Sequence, residues 1–349
     1  MRAGITMKTI AEQAGVTQAT VSMCLANNPR IPATTRERIQ EIARKLGYQP
    51  NPYVSTLMRL RRQGKPLQER PRLGLVCALG TANGWREHSA PTIRQMREGA
   101  WERANLRGYQ PQEFWLHHEG MTNERFSAML HARGIRGLIL SPLAEGAPPP
   151  ELHWDHFATV SLIVPLPSLP ITTVCNDHYF SSLLALRECH RRGYRRPGLV
   201  LRRIHQARFQ GRWEAGLLMA GEMLAGLRPL PPFYLEDWAH AAPLVAWLRR
   251  EKPDVILTPA ADVVQGPLQR AGLRVPEDIG LALLACPELG DSSSGVFQNG
   301  RALGALAVDA LIGMLERHEH GLPAPATALM VEGQWNEGRT LPFRTAARA

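Results

Sequence analysis

The segment Thr17-Gln18-Ala19-Thr20-Val21-Ser22-Met23 sets short polar side chains beside small apolar ones, with no Lys or Glu among them. Thr17, Gln18, Thr20 and Ser22 can exchange hydrogen bonds with phosphate oxygens and base edges, while Ala19 and Met23 can touch thymine methyl groups. A helix face turned only to water usually carries charged residues instead. Other groupings could suggest catalysis. Gly290-Asp-Ser-Ser-Ser-Gly295 superficially resembles a nucleophile loop, but it lacks Gly-x-Ser-x-Gly spacing and reads better as a flexible loop. His153-x-x-His156 and His318-Glu-His320 have too few supporting ligands for a metal site. The phosphate-binding patterns Gly-x-x-x-x-Gly-Lys and Gly-x-Gly-x-x-Gly after a strand are missing. Neither metal nor cofactor is expected.

The polar segment needs a scaffold to present it. Thr6 can cap a helix over 7–14 whose apolar side is Ile10, Ala11 and Ala14. Gly15 suits a turn where a side chain would be penalised at positive φ. Thr17 can cap a second helix from 18 to about 26 that turns Val21 and Leu25 inward. A third runs from about 33 to 46, with Ile39, Ile42, Ala43 and Leu46 at helical spacing, and Gly47 ends it. Ala11, Gly15 and Val21 stand where a helix-turn-helix needs a small crossing residue, a turn glycine and an apolar anchor. An ordinary helical hairpin would also accept Ala and Gly at a crossing.

Charge placement favours the first reading. Residues 1–72 hold 13 Lys+Arg against 4 Asp+Glu, a net of +9, whereas the rest of the 349-residue chain holds 28 against 27. A basic end on a nearly neutral body suits a polyphosphate partner, and also an anionic membrane. Five scattered cysteines without Cys-x-x-Cys argue against a disulfide framework or zinc cluster and fit a reducing compartment. The first residues lack the apolar run of a signal peptide, and no stretch approaches the ~18 apolar residues of a membrane span. A cytoplasmic protein is expected.

The run TMKTIAEQAGVTQATVSMCLANNPRIPATTRERIQEIARKLGYQPNP resembles the head of the lactose-repressor (LacI/GalR) family. The matching pieces are the Thr-x-x-x-Ile-Ala opening, AGVTQATVS, TRERI and LGYQPNP. The resemblance implies a homodimer that binds a pseudo-palindromic double-stranded DNA operator. Carried over by position, Gln18 and Ala19 would face bases, while Thr17, Thr20, Ser22, Arg30, Thr35, Tyr48 and Asn51 would position the backbone. Met23 stands where the family usually has Arg, so the base beneath it should differ, because Met cannot make the bidentate contact to guanine. Residues 53–62 resemble the family's hinge helix, with Leu57 as the minor-groove wedge. A basic linker without order of its own is the alternative, since so short a helix is marginal in water. Val54 sits where the family tends to prefer a small residue.

From residue 73 short apolar runs alternate with amphipathic ones. Candidate strands are 73–79, 111–116, 137–140, 159–163, 198–201, 255–257 and 280–285. Candidate helices are 91–106, 123–132, 179–192, 210–225, 241–250 and 262–271. This alternation predicts doubly wound parallel sheets, and the strand count predicts two lobes. Crossovers are expected near 175–177 and 298–301, with 301–319 returning to the first lobe. RGIRGLIL, VCNDHYFSSLLALRECHRRGYRRPGLVL, RAGLRVPEDIGLALLA and VEGQWNEGRTL resemble the family's periplasmic-binding-protein-like core. The expected architecture is therefore an all-α helix-turn-helix head (5–48), a hinge helix and linker (49–72) and an α/β two-lobed core (73–349).

A small-molecule effector, sugar-like or other, would bind between the lobes. Trp85, Trp213 and Trp238 could stack on a flat ligand, although a tryptophan in a domain of this size is more often core. Asp177 and Asp262 could line the cleft. Three family positions are altered: Trp213 stands in the usual arginine register against Gly216, Ala261-Asp262 replaces Asn-Asp, and Ala285-Cys286-Pro287-Glu288 replaces Gly-aromatic-Asp-Asp. The resemblance implies a transcriptional regulator, by default a repressor, and not an enzyme. Alternatives are a small-molecule enzyme or a solute-binding protein on the same type of sheet. No leucine heptad follows the body, so a tetramerisation helix is not expected.

Overall fold

The computed structural model describes residues 7–25, 31–46, 70–162, 168–236 and 242–344. Elements are numbered in chain order among those residues. Arg30, Tyr48, Asn51, Leu57 and Trp238, with Thr6, Gly47 and the expected hinge helix 53–62, lie outside them. The chain divides into two compact units, residues 1–69 and 70–349.

The first unit contains α1 (Met7–Ala14), α2 (Gln18–Leu25) and α3 (Ala33–Lys45). Gly15 takes φ +65 between α1 and α2, a conformation costly for any residue with a Cβ. Thr17 Oγ1 accepts from the Thr20 backbone N–H at 3.2 Å, satisfying one of the orphan donors at the start of α2. Ile10, Ala11, Ala14, Val21, Cys24, Ile39 and Ala43 form one small core, with Leu25, Ile42 and Leu46 at its rim. Two α3 side chains then close the other helices. Arg38 donates to the Ala14 carbonyl at 3.2 Å and Gln40 to the Cys24 carbonyl at 2.9 Å, which ties the C-terminal ends of α1 and α2 to α3.

The second unit holds two six-stranded sheets. The first lobe is built on β1 (Arg72–Cys77), β2 (Gln110–Trp115), β3 (Gly137–Leu140), β4 (Ala158–Ser161), β5 (Thr172–Asn176) and β11 (Ala328–Val331), ordered β11-β5-β4-β3-β1-β2 and all parallel. The second uses β6 (Pro197–Arg202), β7 (Phe233–Leu235), β8 (Val255–Thr258), β9 (Gly280–Cys286), β10 (Gly295–Phe297) and β12 (Gln334–Asn336), ordered β12-β10-β9-β8-β6-β7, with β12 antiparallel. The central strands β3, β4 and β8 are buried throughout, as expected for parallel strands covered on both faces. Each sheet reverses its winding beside its first strand, between β1 and β3 and between β6 and β8, which opens a crevice at the strands' carboxyl ends.

The helices are α4 (Pro91–Leu106), α5 (Asn123–Ala132), α6 (His178–Arg191), α7 (Arg203–Phe209), α8 (Arg212–Met223), α9 (Ala242–Glu251), α10 (Asp262–Ala271) and α11 (Gly300–Glu316). The helix expected over 210–225 is α8, and a short helix that was not expected, α7, precedes it. Gln210 at φ 54 and Gly211 at φ 66 make a left-handed break between them. The chain leaves the first sheet after β5, returns through α11, adds β11 to the first sheet and ends with β12 on the second.

Close helix packing anchors that return. A Cβ on Gly304 would stand 1.9 Å from the Met96 carbonyl oxygen, and one on Gly99 would stand 2.0 Å from the Arg301 carbonyl oxygen. Glycine at both points lets α4 and α11 meet backbone to backbone. Arg103 then clamps Asp309 with both carboxylate oxygens, at 2.7 to 3.0 Å.

Candidate nucleic-acid interface and inter-lobe cleft

Burial divides α2 into two sides. Val21 and Cys24 are fully buried, whereas Thr17, Gln18 and Ala19 are exposed and Thr20, Ser22 and Met23 are half-buried. Cys24, rather than Leu25, shares the deepest inward position with Val21, because residues three apart stack on one helix face. Thr17 and Thr20 share a hydroxyl contact at 3.0 Å, so these two side chains face the same way at the N-terminus of α2. Thr35 is half-buried on the first turns of α3. A helix whose free N-terminal side offers hydroxyl, amide and methyl groups has the chemistry for a major groove, and its N-terminal dipole favours phosphate.

In the second unit the four effector candidates among the described residues separate. Trp85 is 1 % exposed within the first lobe's core, and its indole donates to the Ile93 carbonyl at 3.0 Å. Trp213 is also buried, on α8, with ring centroids 4.6 Å from Phe209 and 5.0 Å from His178. Asp177 caps α6, accepting from the Phe180 N–H at 2.9 Å at the carboxyl end of β5. Asp262 is exposed at the start of α10 and accepts from the Val263 N–H at 3.0 Å. Asp177 and Trp213 thus flank the same His178, while Trp85 and Asp262 belong to other surroundings.

The lobes are joined by polar contacts that sequence reasoning missed. Arg202, at the end of β6, pairs with Glu145 beyond β3 at 2.9 Å. Arg208 on α7 donates to the Leu143 carbonyl at 2.8 Å. Gln95 of α4 donates to the Pro287 carbonyl at 2.7 Å, and Asn176 to the Gln298 carbonyl at 2.7 Å. The available signal was the density of bases just past a strand, Arg202-Arg203-x-His205-x-x-Arg208-x-x-x-Arg212, at a place where ligands of such sheets bind.

The electrostatics of this region are cationic. Burial, followed by the nearby guanidiniums of Arg208 and Arg94, holds His88 below its ordinary value. Burial with Arg202 and Arg208 takes His205 down to about 4, against a smaller upward pull from Glu145. Burial with Arg212 and His205 takes His178 down to about 3. These imidazoles are neutral at pH 7. Desolvation also lowers Arg208.

No catalytic constellation forms from the remaining motifs. The 290–295 loop is tied down by Asn336, whose amide donates to the carbonyls of Asp291 at 3.0 Å and Ser293 at 2.7 Å. His153 and His156 sit with His131 as a run of rings, and among the described residues no group of three or more His, Cys, Asp or Glu is placed to hold a metal ion. All five cysteines are free and buried. Among the described residues no helix is long and apolar enough to cross a membrane.

Fold and site together define a class, a helix-turn-helix unit carried by a chain whose body is a two-lobed, doubly wound α/β protein. Residues 6–51 match the model of the bacterial regulatory proteins of the lacI family. The HTH-type transcriptional regulator MalR of Staphylococcus xylosus is 42 % identical over 53 residues, 15 % of this chain and 16 % of that relative, so the match spans about one sixth of the relative's length. Among solved structures, a lac repressor dimer bound to operator and the anti-inducer ONPF shares the fold at 18 % identity and TM-score 0.55, over 97 % of this chain and all of that one. A complex of the transcriptional regulator CelR with cellobiose matches at 20 % identity and TM-score 0.54, over 96 % of this chain and 99 % of that one. The periplasmic-binding ribose operon repressor protein of Lactobacillus acidophilus matches at 12 % identity and TM-score 0.56, over 78 % of this chain and 99 % of that one.

Proposed function

We propose that this protein is a cytoplasmic transcriptional regulator, acting as a homodimer on a pseudo-palindromic operator, and that it is not an enzyme. The single observation that carries the reading is the lacI-family head, with α2 anchored by Val21 and Cys24 and its N-terminal side free. Gln18 and Ala19 read bases. Thr17, Thr20, Ser22 and Thr35, with Arg30, Tyr48 and Asn51, hold the phosphate backbone, and Met23 replaces a guanine contact by an apolar one. Residues 5–48 act as the head, 49–72 as a hinge whose Leu57 wedges the minor groove, and 73–349 as the sensing and dimerising body.

The body binds a small effector between its lobes. Ligand binding there shifts the population of lobe arrangements and with it operator affinity, and repression by occlusion of polymerase is the default outcome. Selection of bound duplexes from random DNA by the full-length protein tests the reading. Enrichment of a two-fold symmetric motif supports it, with log K falling by about 0.9 per neutralised phosphate for each log unit of salt. Salt-independent binding without sequence enrichment rejects it.

A further inference from the structure

The charge of the cleft bears on what the effector is, and the argument rests on reading the body as a ligand sensor. Four guanidiniums gather where the lobes meet: Arg94 from the first lobe, and Arg202, Arg208 and Arg212 from the second. Contacts bring them together: Arg94 donates to the His88 carbonyl, Arg202 and Arg208 reach Glu145 and Leu143 of the first lobe, and the rings of His178 and His205 both pack on Phe209 and on Trp213, the neighbour of Arg212. Arg94 and Arg208 both act on His88, Arg202 and Arg208 both act on His205, and Arg212 and His205 both act on His178. Among the described residues two carboxylates lie beside this group, and both are engaged. Glu145 pairs with Arg202, and Asp177 caps α6.

The other three cations are held by neutral acceptors. Arg208 donates to the Leu143 carbonyl at 2.8 Å, Arg94 to the carbonyls of His88 and Ser89, and Arg212 to the Met330 sulfur at 3.3 Å. Among the described residues none of the three has a carboxylate within ion-pair distance. Carbonyls satisfy N–H groups without neutralising the charge, and the one carboxylate acting on Arg208, Glu145, is already paired with Arg202. That is unfavourable for a partly desolvated guanidinium. Buried polar atoms beside them also lack partners: the donors Arg212 Nε and Trp213 Nε1, and His178 Nδ1, on a side chain 5 % exposed.

A neutral sugar needs acceptors as well as donors for its hydroxyls, and a guanidinium offers five donors and no acceptor. A carboxylate or phosphate supplies what this set lacks, a charge with several lone pairs that can accept forked N–H groups. We infer that the inter-lobe cleft takes a small organic anion, a carboxylate or phosphate ester, held chiefly by Arg208 and Arg94, with Arg212 contributing from the start of α8. Arg202 is the lobe-to-lobe strut, already neutralised by Glu145.

The test is calorimetric titration of dialysed full-length protein at fixed ionic strength with sodium malonate, glucose 6-phosphate, glucose and cellobiose. At least one of the two anions binds saturably and at least tenfold more tightly than either sugar. The preferred anion distinguishes carboxylate from phosphate chemistry. Arg208→Gln and Arg94→Gln each weaken that binding at least tenfold, and if one variant does not fold the other carries the comparison. Tighter binding of a neutral sugar overturns the inference. So does the absence of saturable anion binding, or anion binding unchanged in the folded variants, which would assign it to the basic head. Operator affinity measured with the same four compounds separates the two claims. If a neutral sugar alone shifts it, the sensor stands and the anion fails. If an Arg208-dependent anion binds but leaves operator affinity unchanged, the anion stands and the sensor fails.

Discussion

Val21→Ala tests whether the helix-turn-helix core is what holds the DNA-facing helix. Val21 is 0 % exposed and packs with Ile10, Ala11, Ala14, Cys24, Ile39 and Ala43. The substitution removes two buried methyl groups from a core of seven buried residues, which leaves little surrounding mass to collapse into the gap. One buried methyl lost from a packed core costs about 0.5–1.5 kcal/mol including the cavity, so the pair costs about 2 kcal/mol. A unit of about 40 residues has roughly 2–6 kcal/mol of stability, at about 0.05–0.15 kcal/mol per residue. Most or all of the margin is therefore at stake. Hydrogen exchange read by mass spectrometry on the full-length protein resolves it peptide by peptide. Amides of α1 to α3 should exchange about thirtyfold faster, the equivalent of about 2 kcal/mol at 1.36 kcal/mol per decade, while peptides from 72–344 are unchanged. Operator affinity should fall by the fraction of heads unfolded. Exchange within threefold of the parent in α1 to α3 would refute the reasoning, because Val21 would then not anchor the unit.

Gln18→Ala should leave hydrogen exchange in the head unchanged but relax base preference in a selection experiment, and an unaltered preference would remove Gln18 from the readout. Gly304→Ala must move the Met96 carbonyl, which would lie 1.9 Å from the new Cβ. Overpacking of this kind costs about 1–3 kcal/mol and, at about 2–4 °C per kcal/mol for a large domain, lowers the body's Tm by about 2–12 °C. An unchanged Tm would contradict the close α4–α11 crossing. Stability should also fall on mild acidification. His178 is held at about 3 in the fold, below its ordinary 6.5, so the unfolded chain takes up the proton first. Its contribution is complete above about pH 6.5 and is lost toward pH 3, by at most about 1.4 kcal/mol per pH unit, and His178→Phe should flatten that limb in urea titrations. A limb of equal slope in the variant would assign the acid sensitivity elsewhere.

The head was readable because its punctuation is local. Gly15, Thr17 and the apolar spacing around Val21 each act within a few residues, and the structure differs chiefly in giving Cys24 the inward place expected for Leu25. The long strands and helices of the body were legible for the same reason. Five strands, β5, β7, β10, β11 and β12, were not. β5 has five residues and the others three or four, and β11 alternates exposed with half-buried residues at the sheet edge, so no apolar run marks it. The short helix α7, and the left-handed Gln210 that separates it from α8, were also not read, because glutamine carries no sequence signal for a positive φ. The cleft was hardest to read. Its joining contacts, Arg202 to Glu145 and Arg208 to Leu143, span 57 and 65 residues of sequence. The tryptophans attracted attention as rigid platforms, yet Trp85 and Trp213 lie in lobe cores.

The central claim is that the head reads a DNA sequence. Genome-wide mapping of DNA bound by the full-length protein tests it most directly. The account predicts a small set of sites sharing a two-fold symmetric motif, lost in Val21→Ala and broadened in Gln18→Ala. Occupancy spread evenly over the genome, with no shared motif and no change in either variant, would contradict it.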